Sequence, residues 1–195
     1  MTLDSTTFTN PAVITGVIVA LILIAAAIAI IVQQRRIKTE RLRSRFGPEY
    51  DVVLSNGKTR RDAEAALQAR VSRLHHLKIR ELTPSERNRF VAEWEIVQSR
   101  FVDQPRAAVI EADQLVNSLL QTRGYPVALF EQRAADISVD HSSLVVPYRS
   151  AYGVSLRAAK NEATTEELRT AIIHYRSIFD ELLGITMPAD RRNVA

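Results

Sequence analysis

The chain has 195 residues, a formal net charge of +4 and no cysteine. The last point excludes disulfides, thiolate nucleophiles and thiolate metal ligands and suits a reducing compartment. A basic balance usually raises nucleic acid as a partner; here six of the 26 Lys and Arg residues stand between 35 and 45, and 46–195 holds twenty basic and twenty acidic residues. The charge excess is therefore local, and no nucleic-acid partner is predicted.

From the N-terminus, residues 1–10 carry Asp4 as their one charge and read as a short extracytoplasmic segment. Pro11 to Val32 is uncharged and rich in Ile, Val, Leu and Ala. Its roughly 22 residues span about 33 Å as a helix, close to the ~30 Å hydrocarbon core of a bilayer. A cleavable signal peptide is the rival reading. It expects basic residues before a shorter apolar run, whereas here they follow a long one; Ala25-Ala26-Ala27 imitates a cleavage site. The following flank carries Arg35, Arg36, Lys38, Arg41, Arg43 and Arg45 against Glu40. The positive-inside bias then predicts a bacterial cell-membrane protein, single-pass, with its N-terminus outside and residues 33–195 cytoplasmic. The basic strip serves as a stop-transfer signal, with binding of anionic lipid as the alternative. Gly16 and Ala20 form a small-xxx-small pair, which allows a homodimer through the membrane.

Segment 33–46 is predicted to continue the membrane helix or restart it as a stalk, until Gly47-Pro48 breaks it. Pro48 opens a short helix stopped at Asn56-Gly57. The next helix is predicted over 59–78, with Ala63, Ala66, Leu67, Val71, Leu74 and Leu77 as its stripe and His75-His76 at its C-terminus. Thr83-Pro84-Ser85-Glu86 has the form of a capping box with proline at the first helical position. The helix it opens carries Phe90, Trp94, Val97 and Phe101 on one face. Asp103-Gln104-Pro105 starts another with Val109, Ala112, Val116, Leu119 and Leu120 inward, ended by Gly124 and Pro126. A shorter helix is predicted over 127–137, with Phe130 and Ala134 on one side. Asp140 is a candidate cap for the helix that runs to about Lys160 through Tyr148, Tyr152 and Leu156; Pro147 requires either a start near Val146 or a kink. Thr164 to Glu167 forms a second capping box, opening a helix with Leu168, Ala171, Ile172, Tyr175, Phe179 and Leu182 that stops at Gly184.

The predicted fold class is all-α: one N-terminal transmembrane helix and a cytoplasmic domain of about six or seven helices over 47–184, with 185–195 a disordered tail. The spacing of Trp94, Tyr125, Tyr148, Tyr152 and Tyr175 reads as core packing, with an aromatic-lined partner groove as the alternative.

Several strings are more specific than composition: SRFGPEYD at 44–51, TRRDAEAALQAR at 59–70, WEIVQSRFVDQPRAAVIEADQLV at 94–116, RGYPVALFEQRAADISVDH at 123–141 and ATTEELRTAIIHYRSIFDELL at 163–183. Together they resemble a group of uncharacterised bacterial proteins, common in high-GC soil bacteria, with an N-terminal hydrophobic anchor and one helical domain. The resemblance covers roughly 41–183. It implies the architecture and no mechanism. Pro147 departs from it, since the resemblance implies an unbroken helix there.

Chemistry is sparse. Gly57-Lys58-Thr59 matches the end of a phosphate loop, but the glycine that loop needs falls at Val52, and the context is helix–turn–helix. Metal sites in helical bundles use Glu-x-x-His, and the residues three before His75, His76, His141 and His174 are Ser72, Arg73, Ser138 and Ala171. No metal or cofactor is predicted. The densest mixed polar stretch gives a candidate interaction site of Glu131, Arg133, Asp136, Asp140 and His141, with Asp140 and His141 as an acid–base pair or hot spot. The bland reading is capping by Asp140 and surface ion pairs such as Arg133 with Asp136; adjacent residues on a helix do not face one another. The leading expectation is a non-enzymatic interaction or scaffold domain at the inner membrane face, whose partners are the bilayer and an unidentified protein. A membrane-associated, metal-independent hydrolase is the alternative if the fold gathers residues such as Glu111, Asp136, His141 or His174 at one pocket. A secreted helical protein is the third reading, if the N-terminal segment is cleaved.

Overall fold

The computed structural model describes residues 11–55, 59–126 and 128–184. The N-terminal ten residues, Asn56-Gly57-Lys58, Val127 and the 185–195 tail lie outside the described residues, and with them the predicted stop of the short helix, most of the phosphate-loop match and the predicted disorder. Eight α-helices and one 3-10 turn are present among the described residues, with no strand. They are α1 (Pro11–Phe46), α2 (Pro48–Ser55), α3 (Arg60–His75), α4 (Pro84–Asp103), α5 (Pro105–Thr122), α6 (Phe130–Ile137), the 3-10 turn Ser142–Leu144, α7 (Val145–Ala159) and α8 (Thr165–Leu183). The chain divides into two compact units between Ser44 and Arg45.

The first unit is α1 up to Ser44. This helix runs unbroken through the apolar segment and the basic cluster, so the juxtamembrane residues continue it. Its apolar side chains are bare: Ile18, Leu21, Ile22, Leu23, Ile24 and Ile28 are each more than half exposed. One helix near the N-terminus is thus long and apolar enough to cross a membrane. A helix apolar all round with nothing packed on it is unfavourable in water, by roughly 25 cal/mol per Å² of apolar surface.

In the second unit α5 is central, packed against α4, α7 and α8. It buries Ala108, Val109, Ala112, Leu115, Val116, Leu119 and Leu120. Phe90 and Trp94 from α4, Tyr148 from α7 and Tyr175 and Phe179 from α8 complete this core; Trp94 stacks on Phe179 with ring centroids 4.8 Å apart. Each such side chain contributes about 1.5–3 kcal/mol by leaving water. The aromatic positions predicted for packing do pack, although Tyr152 is half-buried and Leu156, assigned to the same face, is exposed. The smaller helices α2, α3 and α6 lie against one another and α7.

Local chemistry sets the helix ends. At α4 and α8 both capping boxes form: Thr83 Oγ1 accepts from the Glu86 amide while Glu86 accepts from the Thr83 amide, and Thr164 and Glu167 repeat the exchange. The Arg80 guanidinium and the Thr83 amide hold the Glu86 carboxyl down at about 2. α5 closes in a Schellman turn, with Tyr125 N–H donating to Leu120 C=O and Gly124 N–H to Gln121 C=O. Gly124 has φ +96°, and a Cβ there would strike the Lys78 carbonyl.

Two boundaries differ from expectation, and a third resolves the alternative left at Pro147 in favour of a start near Val146. α3 ends at His75 rather than Lys78, in a turn whose His76 and Leu77 amides bond to Arg73 and Leu74 C=O, and the stretch after it is tied to α5 by Arg80 N–H donating to Arg123 C=O, 2.9 Å. α6 starts at Phe130. α7 starts at Val145, directly after the 3-10 turn, so Pro147 falls in its first turn, where the missing N–H has no intrahelical partner to lose. Pro147 therefore produces neither a kink nor a break.

Candidate interaction site

The segment 131–141 supplies the last turns of α6 and the turn after it, and its polar side chains reach in different directions. Asp136 is 1% exposed. One of its oxygens accepts from Gln132 Nε2 (2.8 Å) and lies 3.3 Å from Arg73 Nε of α3; the other has no hydrogen-bond partner. Arg133 does not pair with Asp136, as the sequence suggested. It turns toward α7, donating from Nε to the Tyr148 hydroxyl (3.3 Å) and from Nη1 to the Ala128 carbonyl (2.8 Å).

Asp140 is not a helix cap. The amides of Asp140 and His141 both bond to Ile137 C=O, so these residues wind off the end of α6 instead of opening the next helix. Asp140 instead accepts from Arg45 Nη2 (3.2 Å), and Arg45 Nε donates to Val139 C=O (3.1 Å). His141 Nδ1 lies 3.2 Å from Glu181 of α8. Glu131 is exposed and 3.4 Å from Arg149. The five side chains thus join α6 to four other helices and do not converge on one point.

Arg149 leads to a residue the sequence reading passed over. Glu49 of α2 is 1% exposed and held by two arginines. Arg149 Nη1 and Nη2 reach its two oxygens at 2.7 and 3.3 Å, and Arg70 Nη1 lies 2.9 Å from Oε1 and donates also to Ser138 Oγ, 3.3 Å away. Burial works against the Arg149 charge, but the Glu49 hydrogen bond and charge outweigh it and raise its pKa. A signal existed: Glu49 precedes Val53 by one helical turn, placing an acid on the face that buries Tyr50 and Val53. Its partners, 21 and 100 residues away, carry no local mark.

A second polar chain crosses the core. Tyr148 donates to Asn117 (3.1 Å), Asn117 to Asp113 (3.1 Å), and Tyr175 to the other Asp113 oxygen (3.0 Å). Burial pushes Tyr148 up to about 12, and it raises Tyr175 and Asp113 as well. Both phenols therefore stay neutral hydrogen-bond donors at ordinary pH.

One concavity of about 200 Å³ lies beside Asp140. Val71, Leu74, Leu77, Ile79 and Val139 form its apolar surface, and Arg45, His75 and Asp140 its polar edge. Sites for drug-sized ligands run to roughly 300–1,000 Å³, so this one suits a side chain or two. Glu111, Asp136, His141 and His174 do not line it; Glu111 instead pairs with Arg100. His75 closes α3, and His76 follows as its C-cap with Nδ1 2.6 Å from Ser72 C=O. Among the described residues no group of three or more His, Asp or Glu is placed to hold a metal ion. Comparisons with protein-family models, curated proteins and solved structures found no match.

Proposed function

We propose that this chain is a single-pass membrane protein of the bacterial inner surface, anchored by α1, whose helical domain is a non-enzymatic interaction module held on the cytoplasmic side. The observation that carries the reading is α1 itself, apolar on every side, exposed from Ile18 to Val32 and continuous with six basic residues. Such a helix is stable where lipid replaces water and its backbone groups are satisfied internally. The asymmetry of charge across it, Asp4 before and the basic cluster after, supports this orientation.

The domain supports the interaction part of the reading through the mixed groove beside Asp140. Its apolar patch, edged by Arg45, His75 and Asp140, fits an apolar anchor side chain from a protein partner with polar contacts around it. Photo-crosslinking tests this. A photoreactive residue at Val71 or Leu77 of the full chain, in the membranes of the producing cell, is expected to trap one reproducible protein. The same probe at the exposed Ile173, on α8, is expected to trap none. Equal, diffuse crosslinking from both faces contradicts the proposal.

A further inference from the structure

The basic residues that follow the apolar segment share one rigid helix with it, and this fixes their heights along the helix axis and their directions around it. We propose that Arg35, Arg36 and Lys38 form a partial collar that binds the phosphates of anionic phospholipids in the leaflet where α1 emerges. The inference rests on the reading of α1 as a membrane span.

Height decides which cations matter. At a rise of ~1.5 Å per residue, Arg35, Arg36 and Lys38 stand about 4.5, 6 and 9 Å beyond Val32. The polar layer on each side of a bilayer is about 5–7 Å thick. Arg35 and Arg36 lie within it, and Lys38 stands about 2–4 Å past it, close enough for a long side chain to reach back. Arg41 and Arg43 stand about 13 and 16 Å out, roughly one Debye length (~8 Å at physiological salt) past that layer, where their attraction to it is largely screened. Arg45 hydrogen-bonds to Asp140 and the Val139 carbonyl.

Position at the headgroup layer decides what they bind. At about 100° per residue, Arg35 and Lys38 share one face, ~60° apart, and Arg36 lies ~100° to the other side of Arg35. The three cover an arc of roughly 160°, a partial collar, and all are exposed. At that height the arc faces the phosphates of the lipids of one leaflet. Planar guanidinium groups bind phosphate oxygens in pairs, which favours Arg35 and Arg36 as the stronger contacts.

The test reconstitutes the full chain in phosphatidylcholine vesicles containing a minority of spin-labelled lipid and compares labelled phosphatidylglycerol with labelled phosphatidylcholine at the protein perimeter. A several-fold preference for phosphatidylglycerol is expected, weakened by salt, and equal in chloride and inorganic phosphate at one ionic strength. The triple variant R35Q/R36Q/K38Q is expected to lose the preference, and R41Q/R43Q to keep most of it. Equal loss in both variants, or no preference in the unaltered chain, overturns the collar; a selective fall in phosphate buffer overturns it in favour of a soluble phosphate ligand. Alkaline carbonate extraction of the same vesicles separates the two readings. Protein that stays embedded without lipid preference contradicts the collar alone, whereas protein that washes off contradicts the span.

Discussion

Helices α1 and α5 are both largely apolar, and they teach opposite lessons. In α5, Ala108, Val109, Ala112 and Val116 have no exposed surface, because α4, α7 and α8 cover them, and its polar positions Gln114 and Ser118 mark the uncovered strip. In α1 the apolar residues occupy every direction and none from Ile18 to Val32 is buried. Helix α5 is fitted to the neighbours that cover it. Helix α1 has composition and length but, from Ile18 to Val32, no side chain buried among the described residues, which is the form of an element suited to a fluid solvent of fixed thickness.

Charge substitutions separate the two most strongly. Val116→Asp places an unpaired carboxylate among the α5 contacts and is expected to cost more than about 4 kcal/mol, enough to abolish cooperative unfolding, while the chain still sediments with membranes. Leu23→Arg, at the middle of the apolar run, is expected to cost about 3 kcal/mol of insertion and shift the chain toward the carbonate-soluble fraction, leaving the melting of the helical domain unchanged. If either variant produces the other's phenotype, the division of labour is wrong.

Within the domain, Glu49→Ala leaves Arg70 and Arg149 facing an empty buried position. Removing one partner of a buried pair costs about 3–5 kcal/mol; Arg149 and Arg70 keep 30% and 21% exposure, which places the expected loss near the low end of that range, readable in urea denaturation. Gly124→Ala is expected to cost about 2 kcal/mol through the positive φ and the clash with the Lys78 carbonyl. Neither substitution should alter membrane fractionation.

What the sequence made legible follows the range of the interactions. Both capping boxes, the Gly124 stop, the Gly184 stop and the α5 stripe depend on residues within a few positions of one another, and each formed as read. The polar site did not, because its geometry is set by other helices. Asp140 has the residue type of a cap, yet Arg45, 95 residues earlier, takes it. Arg133 stands three positions from Asp136 but is drawn to Tyr148, while Asp136 meets Arg73. Glu49 is the clearest case: one face of a short helix hinted at its burial, and nothing local named its two arginines.

The smallest expected effect is electrostatic. The Glu86 carboxyl is depressed to about 2 from 4.5. A depressed folded-state value means that its contribution to stability is present above about pH 4.5 and is lost as the pH falls toward 2. Glu86→Gln is therefore expected to flatten the pH dependence of melting in that window and to change little at pH 7. An unchanged acid limb would show that the α4 box is not a source of it.

The central claim is the placement of α1 across the membrane with the domain on the basic side. Because the chain has no cysteine, single-cysteine variants of the full chain report topology without background. In intact cells a membrane-impermeant maleimide is predicted to label Ser5→Cys and to leave Lys160→Cys unlabelled until the membrane is permeabilised. Labelling of Lys160→Cys in intact cells would contradict the account.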